Sequence, residues 1–242
     1  MKKNLIYMNI GNSTITAGYF RGENFVLAGR WPAEPAAVKE INFNGAAVEK
    51  IVLASVVPEI TGLLKRKYPG RVLEIKNKDV PVINLYKNKD RVGVDRLLTC
   101  LGAQKKYGRA CLVVDFGTAT TLNFISKRSE FKGGIIVPGA GLFAAYLFEK
   151  TSKLPKIPLK PVKKIIGQST EECIASGLFF GNIEMIGGLV RMIKKTTRGG
   201  IFVVGTGGWG AVLVRHIKEI NEYEPNLVFL GMKELKNHAK NT

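Results

Sequence analysis

Two short glycine turns hold the residues whose types and spacing best suit chemistry. Asn9-Ile10-Gly11-Asn12-Ser13-Thr14-Ile15-Thr16 and Asp115-Phe116-Gly117-Thr118-Ala119-Thr120-Thr121 each follow an apolar run and are rich in hydroxyls and amides. A glycine between two strands lets backbone N–H groups point at one spot and form an anion nest, around which Asn12, Ser13, Thr118, Thr120 and Thr121 add donors. Asp115, two positions before Gly117, is a carboxylate able to hold a cation beside phosphates, the main electrostatic need of phosphoryl transfer. The matching position before Gly11 is Asn9, which offers an oxygen without charge. Either turn alone reads first as an ordinary hairpin turn; the pair, at equivalent points of a repeat, favours phosphate binding. A P-loop is excluded as the means, because no G-x-x-x-x-G-K-[ST] occurs in the chain.

Two further segments invite a functional reading. Gly93-Val94-Asp95-Arg96 precedes the apolar stretch Leu97, Leu98, Leu101, which places Asp95 and Arg96 at a helix start beside the positive dipole end. Asp95 suits an N-cap there. It also suits a general base that accepts a hydroxyl proton while Arg96 grips an anionic substrate. Gly205-Thr206-Gly207-Gly208-Trp209-Gly210 formally matches the dinucleotide pattern G-x-G-x-x-G, but no acidic residue follows the next apolar run. A turn that lets a nucleotide base or ribose lie against the backbone at Gly205, Gly207 and Gly208 suits the segment better.

The elements that must position these turns repeat along the chain. Leu5 to Ile10, Thr14 to Phe20 and Asn24 to Trp31 read as a strand meander. A helix near Ala36 to Ile41, a strand at Lys50 to Val57, a helix at Pro58 to Tyr68 and a strand at Val72 to Ile75 follow. After a helix at Asp95 to Tyr107 the order recurs: strands at Ala110 to Phe116, Thr121 to Ser126 and Phe131 to Val137, then helices at Gly139 to Lys150 and Ser169 to Lys195. A strand at Ile201 to Val204, a helix near Ala211 to Ile220, a strand at Leu227 to Leu230 and a terminal helix complete the expectation. Leu5 to Thr14 overlays Cys111 to Thr120, and Val52 to Val57 overlays Val203 to Gly208. The fold class expected is therefore α/β with a duplication, two lobes each carrying a mixed sheet flanked by helices, divided as 1–108 and 109–242.

Composition narrows the partners. The 242 residues are 45% hydrophobic, enough for a sizeable core, and 37 Lys+Arg against 19 Asp+Glu give a net charge of +18. Such a field attracts phosphorylated ligands, nucleic acid or anionic surfaces, yet the basic residues are scattered and match no common nucleic-acid-binding pattern. The N-terminal apolar run is too short for a secretory signal and no later run is expected to span a membrane, so a cytoplasmic location is expected. Cys100, Cys111 and Cys173 form no C-x-x-C pair, and His216 and His238 stand alone, which argues against a zinc site or a disulfide framework.

Taken together and in order, Asn9 to Ser13, Ala54-Ser55-Val56-Val57-Pro58, Tyr86 seven residues before Gly93-Val94-Asp95-Arg96, Val114 to Thr121, Gly133 to Gly139, Leu154-Pro155, Gly167 to Thr170 and Gly205 to Gly208 resemble the type III pantothenate kinases. That resemblance implies an actin-like/ribonuclease H-like fold, shared with acetate kinase and sugar kinases. It implies transfer of the ATP γ-phosphoryl group to the primary hydroxyl of pantothenate, the first step towards coenzyme A. By it, Asn9, Ile10, Gly11, Asn12, Ser13, Thr14, Ile15, Thr16 and Thr118 would bind ATP, and Asp95 would accept the proton. Tyr86, Gly93, Val94, Asp95 and Arg96 would surround pantothenate, with Thr170 completing the site across a homodimer interface. Asp115 would hold a monovalent cation, K⁺ or NH₄⁺, and Mg²⁺ would accompany ATP. The family's aspartate opening the first loop is Asn9 here, and an acidic residue usual near the second loop is Asn123. An alternative reading is thus a catalytically weakened or inactive paralogue acting as a regulator or binding protein.

Overall fold

The computed structural model describes residues 4–43, 48–197 and 200–238. By its contacts the chain forms two compact units. The first begins with β1 (Asn4–Ile10), β2 (Thr14–Arg21), β3 (Asn24–Pro32), α1 (Ala37–Glu40), β4 (Val48–Ser55), α2 (Pro58–Lys67) and β5 (Val72–Glu74). Its sheet has the order β3-β2-β1-β4-β5, with β1 antiparallel to β2 and parallel to β4. Alternation along β1 sets the two faces. Ile6, Met8 and Ile10 enter a core with Ile51, Leu53, Ile60 and Leu64, while Tyr7 and Asn9 point to the other side. Pro58 opens α2, where its missing N–H costs nothing, and Lys65, Arg66 and Lys67 crowd the last turn at the negative dipole end. Lys67 Nζ also donates to the carbonyls of Val38, Lys39 and Ile41 at 2.9, 2.8 and 2.7 Å, tying down the chain after α1.

Two short 3₁₀ turns and β6 (Ile83–Asn84) lead to α3 (Val94–Tyr107) in the same unit. β6 is too short to register as a strand in the sequence. It exists because Ile83 and Asn84 pair in parallel with Glu130 and Phe131, residues that belong to the first unit although they start a later strand.

The second unit contains β7 (Cys111–Phe116), β8 (Ala119–Ile125), most of β9 (Glu130–Pro138), α4 (Ala140–Glu149), α5 (Thr170–Thr196), β10 (Phe202–Thr206), α6 (Gly210–Leu213) and β11 (Glu222–Tyr223). Its strands run β11-β10-β7-β8-β9, with β7 antiparallel to β8 and parallel to β10. The first unit's order is repeated strand for strand, as the overlay of Leu5 to Thr14 on Cys111 to Thr120 requires. Leu112, Val114 and Phe116 face the core made with Leu178, Phe179, Ile186 and Val190 of α5, and Asp115 faces away, as Asn9 does on β1.

Three expectations are corrected. Helix α5 is 27 residues long and apolar enough to cross a membrane by length and composition, contrary to the expectation that no run is. Its apolar stripe instead supplies much of the second unit's core. The helix expected near Ala211 to Ile220 ends at Leu213 and passes into a single 3₁₀ turn, Val214–His216. Leu227 to Leu230, β-prone in composition, starts α7 (Leu227–His238) and not a strand. Tertiary packing overrides local preference there: Leu227, Val228, Phe229 and Met232 are buried, and α7 lies against α3 in the first unit, with Gly102 facing the Leu227 carbonyl and Gly231 facing the Leu98 carbonyl.

Candidate active site

Each unit carries its own group of candidate residues. In the first, β1 ends at the turn Gly11–Ser13, whose Asn12, Ser13 and Thr14 are exposed. Asn9 lies opposite Thr16 across the β1–β2 pair, and Ile10 lies opposite Ile15. The Gly11 N–H is not left for an anion: it donates to the Thr14 carbonyl at 3.0 Å and closes the turn. The donors of this loop that face solvent are at its tip. The side-chain oxygen of Asn9 is buried without a hydrogen-bond partner. An orphaned acceptor of this kind costs about 1–3 kcal/mol unless something fills its place.

The end of β1 leads directly to the Gly93–Arg96 segment. Val56 donates its N–H to the Ile10 carbonyl at 3.1 Å, and Ser55 Oγ accepts from Val57 N–H at 3.0 Å, so the β4–α2 turn is fixed beside the first loop. A Cβ on Gly93 would stand 3.6 Å from Val56 Cγ1 and would overlap Asp95 Oδ1, so a larger residue there would displace the Asp95 carboxylate. Asn77 Nδ2 holds this loop from behind through the Val92 carbonyl at 2.7 Å and the Lys89 carbonyl at 3.2 Å. A groove of about 550 Å³ in this unit is lined by Ser55, Val56, Lys76, Arg91, Gly93 and Val94, among others.

Asp95 does not cap α3 from outside. The helix starts at Val94, and Asp95 lies in the first turn, where Oδ1 accepts from the Arg96 N–H at 2.9 Å. Burial pushes its carboxyl above the usual aspartate range; the Arg96 N–H and guanidinium charge pull the other way without overcoming it. Arg96 extends over two rings, with its guanidinium carbon 5.7 Å from the centre of Tyr86 and 5.5 Å from that of Phe131. Tyr86, Gly93, Val94, Asp95 and Arg96 are thus brought together on one side of the first unit. Phe131 joins them without any signal in the sequence beyond its place just before Gly133-Gly134.

In the second unit, Asp115 lies opposite Thr121 on β8 and level with Thr206 on β10. Asn123 is fully buried on the same face and donates from Nδ2 to Thr121 Oγ1 at 2.8 Å. Thr118 sits in the turn, its carbonyl accepting from the Gly139 N–H at 3.0 Å. The Gly205–Gly210 turn closes over the end of β7. Trp209 N–H donates to the Phe116 carbonyl at 3.2 Å, and Tyr223 OH donates to the Gly207 carbonyl at 2.9 Å. Gly207 has φ +85°, and a Cβ there would overlap the Asp115 carboxylate and come within 2.7 Å of the Phe116 nitrogen. Asp115, Thr118, Gly205, Gly207 and Gly208 therefore belong to one constellation. Thr170 is exposed at the first residue of α5, after the N-cap Ser169, whose Oγ accepts from Glu172 N–H at 3.2 Å.

This duplicated three-plus-two sheet, with a hairpin turn and a carboxylate or amide at the end of each central strand, has the actin-like and sugar-kinase-like fold. Among solved structures the chain is similar to a Campylobacter jejuni protein described as a conserved Baf family transcriptional activator, with 21% identity, a TM-score of 0.67 and coverage of 98% of this chain and 100% of that one. It is also similar to MreB 5 of Spiroplasma citri bound to AMPPNP, at 13% identity and a TM-score of 0.55, covering 100% and 98%. These likenesses establish the fold. Residues 5–192 match the type III pantothenate kinase family. A type III pantothenate kinase of Syntrophotalea carbinolica is 30% identical over 96% of this chain and 97% of its own length, and one of Persephonella marina is 30% identical over 98% and 100%. The chain belongs to the type III pantothenate kinase family, whose reaction is ATP-dependent phosphorylation of pantothenate in coenzyme A biosynthesis.

Proposed function

We propose that this chain carries out the family's reaction, with Asp95 as the group that takes the proton from the primary hydroxyl of pantothenate. The observation that carries the assignment is a half-buried carboxyl raised above its ordinary range in the first turn of α3, one residue from a ring-stacked guanidinium. A raised carboxylate is the stronger base once ionised, and its burial limits exchange with bulk water. Arg96, with Tyr86, Gly93 and Val94 around it, meets the anionic end of pantothenate, for which its planar fork is suited. Asn9 to Thr16 and Thr118 hold the phosphates of ATP, and the Gly205-Gly207-Gly208 turn takes the adenosine.

The donor set fits cations that are completed by phosphate and water. Among the described residues no cluster of three His, Cys, Asp or Glu forms a protein-only metal cage. Asn9 Oδ1, an orphaned hard oxygen, and the Asp115 carboxylate each offer one oxygen of the kind Mg²⁺ and K⁺ prefer. When bound, such ions neutralise the charge that develops on the transferring phosphoryl group. A homodimer in the cytoplasm, with Thr170 reaching the partner's pantothenate, agrees with the exposure of Leu142, Phe143, Tyr146 and Phe148 along α4, an apolar stripe unusual for a monomer surface. No membrane or nucleic-acid partner enters this reading.

The test is direct. Purified protein with ATP, Mg²⁺, K⁺ and pantothenate should yield phosphopantothenate, and the absence of product with every divalent and monovalent cation tried would reject the reading in favour of a non-catalytic paralogue.

A further inference from the structure

We propose that Phe131 is a positioning residue of the pantothenate site: its ring packs against both the Arg96 guanidinium and the Tyr86 ring, while its own backbone fixes the segment that carries Tyr86. This inference rests on the reading of Arg96 as the group that meets the acceptor's carboxylate. Phe131 has no solvent exposure and belongs to the first unit. Its ring centre lies 6.2 Å from that of Tyr86 at 46°, and the Arg96 guanidinium carbon lies within cation–π range of both rings.

The backbone of residues 129–131 does the second part. Ser129 accepts from Ile83 N–H at 2.8 Å, and Phe131 accepts from Leu85 N–H at 3.0 Å, so Ile83 to Leu85 lies in register against Ser129 to Phe131. Asn84, opposite Phe131, accepts at Oδ1 from Tyr86 N–H at 3.0 Å and turns the chain so that the Tyr86 ring faces Arg96. On the far side, the first turn of α3 pins the Arg96 backbone through Gly93 O at 3.1 Å and Asp95 Oδ1. Both rings lie within cation–π range of the guanidinium. These contacts restrict the swing of the guanidinium, whose planar fork suits a carboxylate. Removing the Phe131 ring should therefore loosen the grip on the acceptor and leave nucleotide binding alone.

Phe131→Leu and Phe131→Met remove the ring, Met with little change of volume, and Phe131→Tyr keeps it. The expected result is a KM for pantothenate raised about 3- to 30-fold in the Leu and Met variants, the loss of a partly desolvated cation–π contact. The KM for ATP should be unchanged, and Tyr should restore most of the loss. In an Arg96→Gln background the Phe131→Met change should add nothing to the pantothenate KM, because its effect acts through the guanidinium. Equal changes in both KM values, or full additivity with Arg96→Gln, would show a structural role only and overturn the proposal. Wild-type protein that makes no phosphopantothenate would instead sink the functional reading, so the two failures are separable.

Discussion

Replacing Gly207 by alanine sets a local test of how the second unit is built. The residue has φ +85°, where an L side chain costs about 1–2 kcal/mol, and its methyl would overlap the Asp115 carboxylate and meet the Phe116 backbone at 2.7 and 2.8 Å. Relieving that overlap costs about 1–3 kcal/mol more, because the neighbours are main chain and cannot swing away. The sum is about 2–5 kcal/mol. At about 2–4 °C per kcal/mol for a chain of this size, the melting temperature should fall by about 4–20 °C. Gly208, the next residue, has no atom within 4 Å of a built Cβ and no positive φ, so Gly208→Ala should stay within about 0.5 kcal/mol of wild type. Thermal unfolding of the two variants side by side, with binding of a non-hydrolysable ATP analogue, measures both effects. Equal melting temperatures for the two would refute the claim that the turn is seated on Asp115 and Phe116.

Asp95→Asn should lower turnover by about 10²–10⁴-fold with little change in either KM. Because burial raises the Asp95 carboxyl, its contribution to folding is favourable in acid, present in full below the unfolded aspartate pKa, and is lost as pH rises through the folded one. The variant should therefore gain stability relative to wild type at neutral pH and lose that advantage in acid, and the wild-type rate, which needs the ionised base, should fall as pH is lowered, starting above the ordinary aspartate range. Asn9→Asp should reduce the Mg²⁺ concentration needed for half-maximal rate, read by metal titration of the kinase assay; an unchanged requirement would remove Asn9 from the metal's surroundings. Burial pushes the Cys111 thiol up to about 11 and Cys100 is buried, while Cys173 is exposed. Alkylation of native protein at pH 8 should therefore label Cys173 alone, as mass spectrometry would show.

Much of the fold was legible because hydrophobic alternation and glycine punctuation are local signals. Leu5 to Ile10 and Cys111 to Phe116 announce central strands, and their overlay announces the repeated sheet order that β3-β2-β1-β4-β5 and β11-β10-β7-β8-β9 display. The same locality explains the errors. Leu227 to Leu230 has the composition of a strand, and only the packing of Gly102 and Gly231 between α3 and α7 makes it helical. Asp95 has the composition of an N-cap, and the helix begins one residue earlier.

By itself the sequence determined the residue chemistry: two glycine turns after apolar strands, an Asp-Arg pair at a helix start, and an asparagine where a carboxylate would carry charge. Tertiary structure alone decided which of these acquire unusual properties. Desolvation, which depends on everything that surrounds a group, raises Asp95 and leaves Asn9 Oδ1 without a partner. Pairing between residues far apart in the chain, Ile83 and Asn84 with Glu130 and Phe131, brings Phe131 to Tyr86 and Arg96.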